Sequence, residues 1–316
     1  MTLDEILKEI EKAQSIVILT HESPDGDAIG SSLALKFMIE KLDKKVDVII
    51  PEYSRLFDFL PSVEEIKEES EIKNYDLAIS VDCATFKRMA KREYFDKANK
   101  TIVIDHHGSN NMYGDLNYVN PVSPSCCEIL AGMIQYFEID ITKEIGICIM
   151  TGIITDTGGF RHQGINPETF EFTAELIRKG VNIPEIYKKT LRTTTKANFE
   201  LTKRVMNRME FFEEGKIAFT YITSEDEKEV CAEPGDHEGL VNIGMDIEGV
   251  EVSIFIRQKD EENAYKISLR SFDKINVSDI CLMFGGGGHP RAAGALVQGD
   301  VEQVKQKVIK EVRKAL

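Results

Sequence analysis

Two adjacent histidines raise the first chemical question in this sequence. They lie in "TIVIDHHGSN", where a run of β-branched residues ends in Asp105, His106 and His107. The chain has only six histidines, and a pair of them behind a strand-like segment has no easy packing explanation. Imidazole and carboxylate groups bind divalent metal ions, so this segment is a candidate metal site.

Further acidic residues share this setting. His21, Asp25 and Asp27 follow the strand-like "SIVILT", and Asp82 ends the strand-like "DLAISV". Taken alone, Asp25 fits a turn and Asp82 fits a helix cap. Asp156, at the end of the apolar "EIGICIMTGIIT", is harder to explain by structure. A carboxylate there opposes the helix dipole, and its burial is costly unless a cation lies beside it.

Together these positions predict a two-metal hydrolytic centre. In open α/β sheets, ligands bind beyond the carboxyl ends of the parallel strands, where most of these side chains fall. Carboxylates and imidazoles without thiolates suit Mn²⁺, Mg²⁺, Fe²⁺ or Co²⁺ better than structural zinc. Two such ions, about 3.5–4 Å apart, activate a bridging water and stabilise an in-line displacement at phosphorus. The predicted reaction is therefore hydrolysis of a phosphoester or phosphoanhydride.

The elements that must position these residues alternate between strand and helix patterns. "SIVILT", "KVDVII", "DLAISV" and "TIVI" have the composition of buried strands, and helical patterns precede the first strand, follow it, and recur around residues 86–97. This alternation predicts an α/β fold with a mostly parallel sheet flanked by helices. Residues 125–210 are predicted to be helical, including a core helix that ends at Gly158–Gly159.

The pattern changes after about residue 212. "KIAFTYIT", "VEVSIFIRQ" and "AYKISLRSF" alternate as strands do, and a charged helix is predicted over 301–314. A chain of 316 residues suits two domains. We predict a metal-binding catalytic domain at 1–190, a linker at 191–212, and a smaller α/β domain at 213–316.

Composition narrows the class of function. The net charge is −15, whereas a protein that grips long nucleic acid needs a basic surface. No apolar run is long enough for a membrane span or a signal peptide. The six cysteines show no CxxC spacing, which favours reduced thiols and a cytoplasmic location.

Several motifs resemble one known family. "HESPDGDAIGS", "SVDCAT", "IDHH" and "TGIITDTGGFRH" resemble the four motifs of the DHH phosphoesterase superfamily, and "EGLVN", "SLRS" and "FGGGGHPRAAGA" resemble its DHHA1-type C-terminal domain. The resemblance covers nearly the whole chain and is strongest to the stand-alone nanoRNase and pAp-phosphatase type. It implies hydrolysis of very short oligonucleotides or pAp-type 3′-phosphonucleotides through a metal-bridging hydroxide. Two metal ions are implied, with Mn²⁺ expected and Mg²⁺ or Co²⁺ as alternatives.

The resemblance also assigns roles in the first domain. It places one ion on three residues and the second on four, with Asp82 shared by both. The two sets are His21, Asp25 and Asp82, and Asp27, Asp82, His106 and Asp156. His107 is expected to face the substrate phosphate, with Asp105 orienting one or both histidine rings. If the strand stays extended, His106 and His107 point to opposite sides.

In the second domain the resemblance implies a substrate pocket. Glycine lets backbone N–H groups approach an anion closely, and basic side chains lie nearby in the sequence. The predicted substrate-binding residues are Arg270, Gly285, Gly286, Gly287, Gly288, His289 and Arg291. Arg161 and His162 fit either the substrate cleft or a solvated loop, and His237 is interpreted as structural.

The expected partners are short RNA or DNA oligonucleotides or small nucleotides, held in a cleft between the domains that selects for length. Long nucleic acid and membranes are not expected, and a homodimer is expected from the family alone. Relatives of the pyrophosphatase, RecJ and membrane-tethered types fit less well, because their basic signature, channel or membrane segments are not seen. A soluble phosphodiesterase acting on cyclic di-AMP or pApA remains an alternative. A non-catalytic nucleotide sensor is disfavoured by the complete set of ligand-type residues.

Overall fold

The predicted strands of the first part of the chain form a five-stranded sheet. They are β1 (Ile16–Leu19), β2 (Val46–Val48), β3 (Leu77–Val81), β4 (Lys100–Asp105) and β5 (Leu116–Val119). All pairs are parallel, in the order β2-β1-β3-β4-β5. The carboxyl ends of β1, β3 and β4 therefore meet at one edge of the sheet, and the predicted metal ligands follow them there.

Helices cover both faces of this sheet. The α-helices of this part of the chain are α1 (Leu3–Lys12), α2 (Gly26–Lys41), α3 (Glu93–Asp96), α4 (Cys126–Tyr136), α5 (Lys143–Asp156), α6 (Pro167–Arg178) and α7 (Ile183–Tyr187). Strand β1 shows the two faces clearly. Ile16 and Ile18 pack in the core that contains α2, α4 and α5, whereas Val17 and Leu19 pack with Tyr94 of α3 on the other side. The predicted α/β class and its parallel sheet are confirmed.

The computed structural model describes residues 2–162, 164–259, 264–272 and 274–316, and the chain divides into two compact units, Met1–Thr193 and Thr194–Leu316. The division falls inside the segment predicted as a linker, 191–212. Most of that segment is a helix, α8 (Lys196–Asn207), which buries Leu201 and Val205 against Ile222 of the second unit. No helix in the described part of the chain is long and apolar enough to cross a membrane.

The second unit is built on a six-stranded mixed sheet. Its strands are β6 (Glu210–Phe212), β7 (Ile217–Ile222), β8 (Val252–Lys259), β9 (Ala264–Ser271), β10 (Gly287–His289) and β11 (Ala292–Gln298). Their order is β10-β11-β9-β8-β7-β6, and every pair except β7–β8 is antiparallel. The helices are α9 (Ser224–Glu229), α10 (Asn242–Met245), α11 (Val277–Leu282) and α12 (Val301–Ala315). One face of the sheet forms the core of the unit with α11 and α12.

Two sequence-based expectations differ from the structure. The helix predicted around 86–97 is two short turns, Phe86–Arg88 and Glu93–Asp96, because Lys91 between them has φ of +53°. Strands β5, β10 and β11 were not anticipated, since their segments are short or rich in alanine and glycine and gain their conformation from neighbouring strands.

Candidate metal centre

His21 and Asp25 enter the centre from the loop between β1 and α2. His21 Nδ1 lies 2.8 Å from the carbonyl oxygen of Glu22. A carbonyl only accepts hydrogen bonds, so Nδ1 carries the proton and Nε2 is the nitrogen turned toward Asp82, whose Oδ2 is 3.8 Å away. Burial lowers the pKa of His21 and favours the neutral form that binds metals. Asp25 caps α2, because its Oδ1 accepts hydrogen bonds from the amides of Asp27 and Ala28. The same carboxylate can therefore cap the helix and belong to the candidate metal centre.

Asp82 lies at the middle of the cluster, directly after β3. Its φ is +49°, a left-handed conformation that aspartate tolerates better than most residues, and its amide donates to Ile104 of β4. Oδ1 lies 3.4 Å from His106 Nε2, and Oδ2 faces His21. The strained backbone thus turns the carboxylate toward both histidines instead of into a cap of the following segment.

Asp27 is fully buried and comes from the first turn of α2. Its carboxylate accepts hydrogen bonds from the backbone amides of Cys126, at 2.6 Å, and Cys127, at 2.9 Å. These are the first amides of α4, where the positive end of the helix dipole stabilises an anion. Close packing is required on the opposite side, because a Cβ at Gly152 of α5 would lie 2.3 Å from Asp27 Oδ1.

The ring of His106 lies close to three carboxylates, those of Asp27, Asp82 and Asp156. Its Nδ1 lies 3.3 Å from the Ser123 carbonyl oxygen, which turns Nε2 toward Asp156 Oδ2 at 3.2 Å and Asp27 Oδ2 at 4.0 Å. Burial alone would lower the pKa of His106, but Asp156 and Asp82 raise it well above its usual value. Its Nε2 is held where a cation, either a proton or a metal ion, balances the carboxylates.

His107 occupies a different position from His106. Its Nδ1 lies 2.7 Å from Asp105 Oδ1 and 3.5 Å from Asp82 Oδ1. Burial would raise the pKa of Asp105, but the hydrogen bond and charge of His107 and the amide of Asn110 lower it. The expectation that the rings point to opposite sides does not apply, since β4 ends at Asp105. The two rings contact each other in a T-shaped arrangement, with an interplanar angle of 66° and centroids 4.6 Å apart.

The structure therefore brings together all six predicted metal ligands within the first unit. Within two of the groups, His21–Asp25–Asp82 and Asp27–His106–Asp156, the candidate ligand atoms all lie within 4.8 Å of one another. The residues also fit divalent cations. Asp82 Oδ1 is buried without a hydrogen-bond partner among the described residues. Burial and neighbouring carboxylates raise the pKa values of Asp27 and Asp82, and that of Asp156 to about 7.

Sequence reasoning missed the groups that hold these ligands in place. They are the first amides of α4, the Ser123 carbonyl and the amide side chain of Asn110, which donates to Asp105 Oδ2 at 2.6 Å and to the Cys83 carbonyl at 3.2 Å. The spacing of Ser125 and Glu128 matches a helix-start pattern and could have indicated the amides of α4. Nothing in the sequence marks Asn110, because its partners come from two other segments.

The predicted substrate residues cluster at one end of the second sheet. Arg270 of β9 pairs with Ala292 of β11, which in turn pairs with His289 of β10. Arg270 is half-buried, burial lowers its pKa, and no carboxylate of the described residues forms an ion pair with it. Arg291, in the turn between β10 and β11, donates to the Ile275 carbonyl at 2.8 Å.

The four glycines are not one flexible loop. Gly285, with φ of +76°, and Gly286 end α11 by donating to the carbonyls of Leu282 and Cys281. Gly287 and Gly288 belong to β10. A Cβ at Gly286 would lie 2.1 Å from the Gly294 carbonyl oxygen, whereas a Cβ at Gly287 would meet only Leu282 Cδ2 at 3.9 Å. Only Gly287 lacks a structural reason to be glycine.

Comparison with known proteins defines the class. Residues 15–153 match the model of the DHH family, N-terminal domain, and residues 214–316 match that of the DHHA1 domain. The chain belongs to the DHH family.

Individual relatives match it over nearly its whole length. A bifunctional oligoribonuclease and PAP phosphatase NrnA from Thermus thermophilus is 32% identical over 314 residues, covering 99% of this chain and 93% of that protein. The protein of that name from Bacillus subtilis is 25% identical over 303 residues, covering 93% and 92%. The crystal structure of an exopolyphosphatase-related protein from Bacteroides fragilis has a TM-score of 0.90 at 32% identity, covering 99% and 95%.

Proposed function

We propose that this chain is a metal-dependent phosphoesterase that hydrolyses short oligonucleotides and pAp-type 3′-phosphonucleotides. The observation that carries this proposal is the buried cluster around Asp82, where two sets of ligand-type atoms meet at the carboxyl edge of the parallel sheet. The relatives named as oligoribonuclease and PAP phosphatase support the choice of substrate. We also propose a cytoplasmic location, because the six cysteines lack CxxC spacing and are best explained as reduced thiols.

Two divalent ions fit the donor set. His21, Asp25 and Asp82 would hold one ion, and Asp27, Asp82, His106 and Asp156 the other. All donors are oxygen or imidazole nitrogen, which favours Mn²⁺, with Mg²⁺ or Co²⁺ as alternatives. Cys126 and Cys127 lie nearby, but burial raises their pKa values well above the usual range, which keeps them protonated. Bound ions supply Lewis acidity and a nucleophilic water at neutral pH.

The protein's own groups then orient the reaction. Asp105 fixes the proton of His107 on Nδ1, so His107 Nε2 is the nitrogen presented to substrate. We assign His107 to charge stabilisation or proton transfer at the phosphate. Asp105 acts through His107 as a positioning residue, because its carboxylate is buried and already engaged by Asn110 and by the amide of His106.

Recognition of the substrate is assigned to the second unit. Arg270 and His289 lie on one face of the sheet, two strands apart, and a Cβ at Gly287 would meet only Leu282 Cδ2, at 3.9 Å. A guanidinium that is half-buried without a carboxylate partner among the described residues suits a phosphate group. The remaining predicted residues, Gly285, Gly286, Gly288 and Arg291, are assigned to the walls of this pocket.

Steady-state kinetics would test the proposal. Metal-free protein is supplied with Mn²⁺, Mg²⁺ or Co²⁺ and assayed on pAp, a 5′-phosphorylated dinucleotide, cyclic di-AMP and a long RNA. We expect kcat/KM for pAp or the dinucleotide to exceed that for the long RNA by at least about 100-fold. Equal rates on all lengths would contradict selection for short substrates, and preference for cyclic di-AMP would favour the alternative function. Absence of metal-stimulated hydrolysis of every substrate would overturn the proposal.

A further inference from the structure

Part of the accessible face of the sheet in the second unit lies outside the proposed substrate pocket. Along β11, Ala293, Ala295 and Val297 are buried in the core of the unit. The alternate residues face the other way and stay accessible, and Leu296 is 42% exposed. Leu296 is a large aliphatic side chain, whereas its neighbours on this face of β11, Ala292 and Gly294, are small.

The strand register shows what this face contains. Directly paired residues lie on the same side of a sheet. Arg270, Ala292 and His289 form one row across three strands, which places Arg270 and His289 two strand spacings, about 9–10 Å, apart. The next row is Ser268, Gly294 and Gly287. These small residues form a shallow floor that borders the predicted substrate residues.

The far end of the same face is basic and partly apolar. In the strand register, Lys266 of β9 lies opposite Leu296 of β11 on one side and opposite Arg257 of β8 on the other. Lys266 is four residues before Arg270 on β9, a separation of roughly 13 Å along the strand. Arg257 Nη1 lies 2.8 Å from His237 Nδ1, and burial, with the charges of Arg257, Lys266 and Lys259, lowers the pKa of His237 to about 3. Arg257 forms an ion pair with Glu227 at 3.2 Å, and the side chain of Lys266 is exposed at the surface.

We propose that the floor formed by Ala292, Gly294 and Ser268 binds the second nucleotide of an oligonucleotide substrate, with its base against Leu296 and its phosphate toward Lys266. This inference rests on the proposed function and extends it beyond the Arg270 and His289 pocket. The positive charge of Lys266 complements a phosphodiester, and the floor is continuous with the row that holds Arg270.

The proposed subsite would be occupied by a dinucleotide but not by a pAp-type nucleotide. A pAp-type nucleotide has one nucleoside and ends at the Arg270 row. A dinucleotide has a second base and reaches the next rows, so it alone gains contact with Leu296. Affinity for the two classes should therefore respond differently to changes on this face.

Two variants of the full chain test the subsite. Leu296→Gln is expected to lower kcat/KM for 5′-phosphorylated diadenylate about tenfold, mainly through KM, while kcat/KM for pAp stays within about twofold. Lys266→Gln is expected to make kcat/KM for a 5′-phosphorylated triadenylate less sensitive to salt, with a log–log slope shallower by roughly 0.7. Phe211→Gln is the matched control, since Phe211 is 50% exposed on β6 at the opposite edge of the same sheet.

The outcomes separate the subsite from the function on which it rests. If the wild type hydrolyses both substrates and neither variant alters the ratio of dinucleotide to pAp or the salt slope, the subsite is overturned. An equal loss in the Phe211→Gln control also overturns it, because the effect would then be general to the sheet. A wild type that hydrolyses neither substrate overturns the proposed function, and the subsite with it. Circular dichroism confirms that each variant keeps its fold.

Discussion

Asp27 and Cys127 are 100 residues apart in the chain, and the amide of Cys127 donates to the carboxylate of Asp27 at 2.9 Å. The contact joins the first turns of α2 and α4, and the amide of Cys126 strengthens it at 2.6 Å. A ligand-type carboxylate is thus held by the backbone of a second helix. This contact links the packing of α4 to the geometry of the candidate metal centre.

Gly152 makes this contact sterically possible, and its substitution tests the arrangement. In Gly152→Ala the new Cβ would lie 2.3 Å from both Asp27 Oδ1 and Cys127 Sγ, so the carboxylate must shift. We expect Mn²⁺ affinity, measured by titration calorimetry on metal-free protein, to fall at least about tenfold. Gly132→Ala in α4 is the control, because its Cβ meets only Phe172 at 3.9 Å. Equal affinities in the two variants would contradict the role of Gly152.

Asp82 is expected to be shared by both ions. Asp82→Asn keeps the size of the side chain and the tolerance for a positive φ but removes the charge. We expect loss of metal binding, followed by calorimetry, together with loss of turnover. A variant that binds two equivalents of metal with normal affinity would exclude the bridging assignment.

His107 should be separable from metal binding. In His107→Ala we expect kcat to fall by about 100-fold or more while Mn²⁺ affinity stays within about threefold, because its Nδ1 is held more closely by Asp105, at 2.7 Å, than by Asp82, at 3.5 Å. Asn110→Ala, which frees Asp105 Oδ2, should lower kcat by a smaller factor. Failure of His107→Ala to bind metal would show that His107 is itself a ligand.

Gly287 distinguishes a binding role from a folding role in the glycine segment. Gly287→Ala has room for its methyl group and should keep the melting temperature, whereas KM for pAp should rise if the substrate approaches the backbone there. Gly286→Ala is the contrasting variant, since its Cβ would overlap the Gly294 carbonyl and should lower the melting temperature. An unchanged KM in Gly287→Ala would remove Gly287 from the pocket.

Asp226 should determine how the second unit responds to acid. It is buried and accepts from Arg204, Arg208 and Thr223, with distances of 2.7 Å to Arg204 and 2.7 Å to the Thr223 amide. Burial would raise its pKa, but these partners hold it well below the usual range. A lowered pKa contributes stability above the unfolded value, about 3.9 for aspartate, and this contribution is lost as pH falls toward the folded pKa.

Asp226→Asn should therefore destabilise the second unit by about 2–3 kcal/mol at neutral pH, and the difference from wild type should shrink below about pH 4. Hydrogen exchange of peptides from residues 194–316 measures this. The control is Asp246→Asn, at an exposed position of the same unit. A difference that stays constant down to pH 2 would contradict the ionic origin of the effect.

The sequence alone predicted the elements whose pattern is local. Strand β1 is apolar throughout, helix α5 is apolar over most of its length, and the position of the acidic residues after the strands follows from the parallel sheet. It did not predict the break at Lys91, because a left-handed lysine has no sequence signature, nor β11, whose alanines and glycines become a strand only by pairing with β9. Asn110 was missed for the same reason, since its role depends on partners that are distant in sequence.

The arrangement of the ligands also sets the order of events during synthesis. His21 and Asp25 leave the ribosome long before Asp156, and Asp27 gains its amide donors only once the start of α4 has been made. The four-residue donor set that we propose for the second ion is therefore complete only after α4 and α5 have been made and docked.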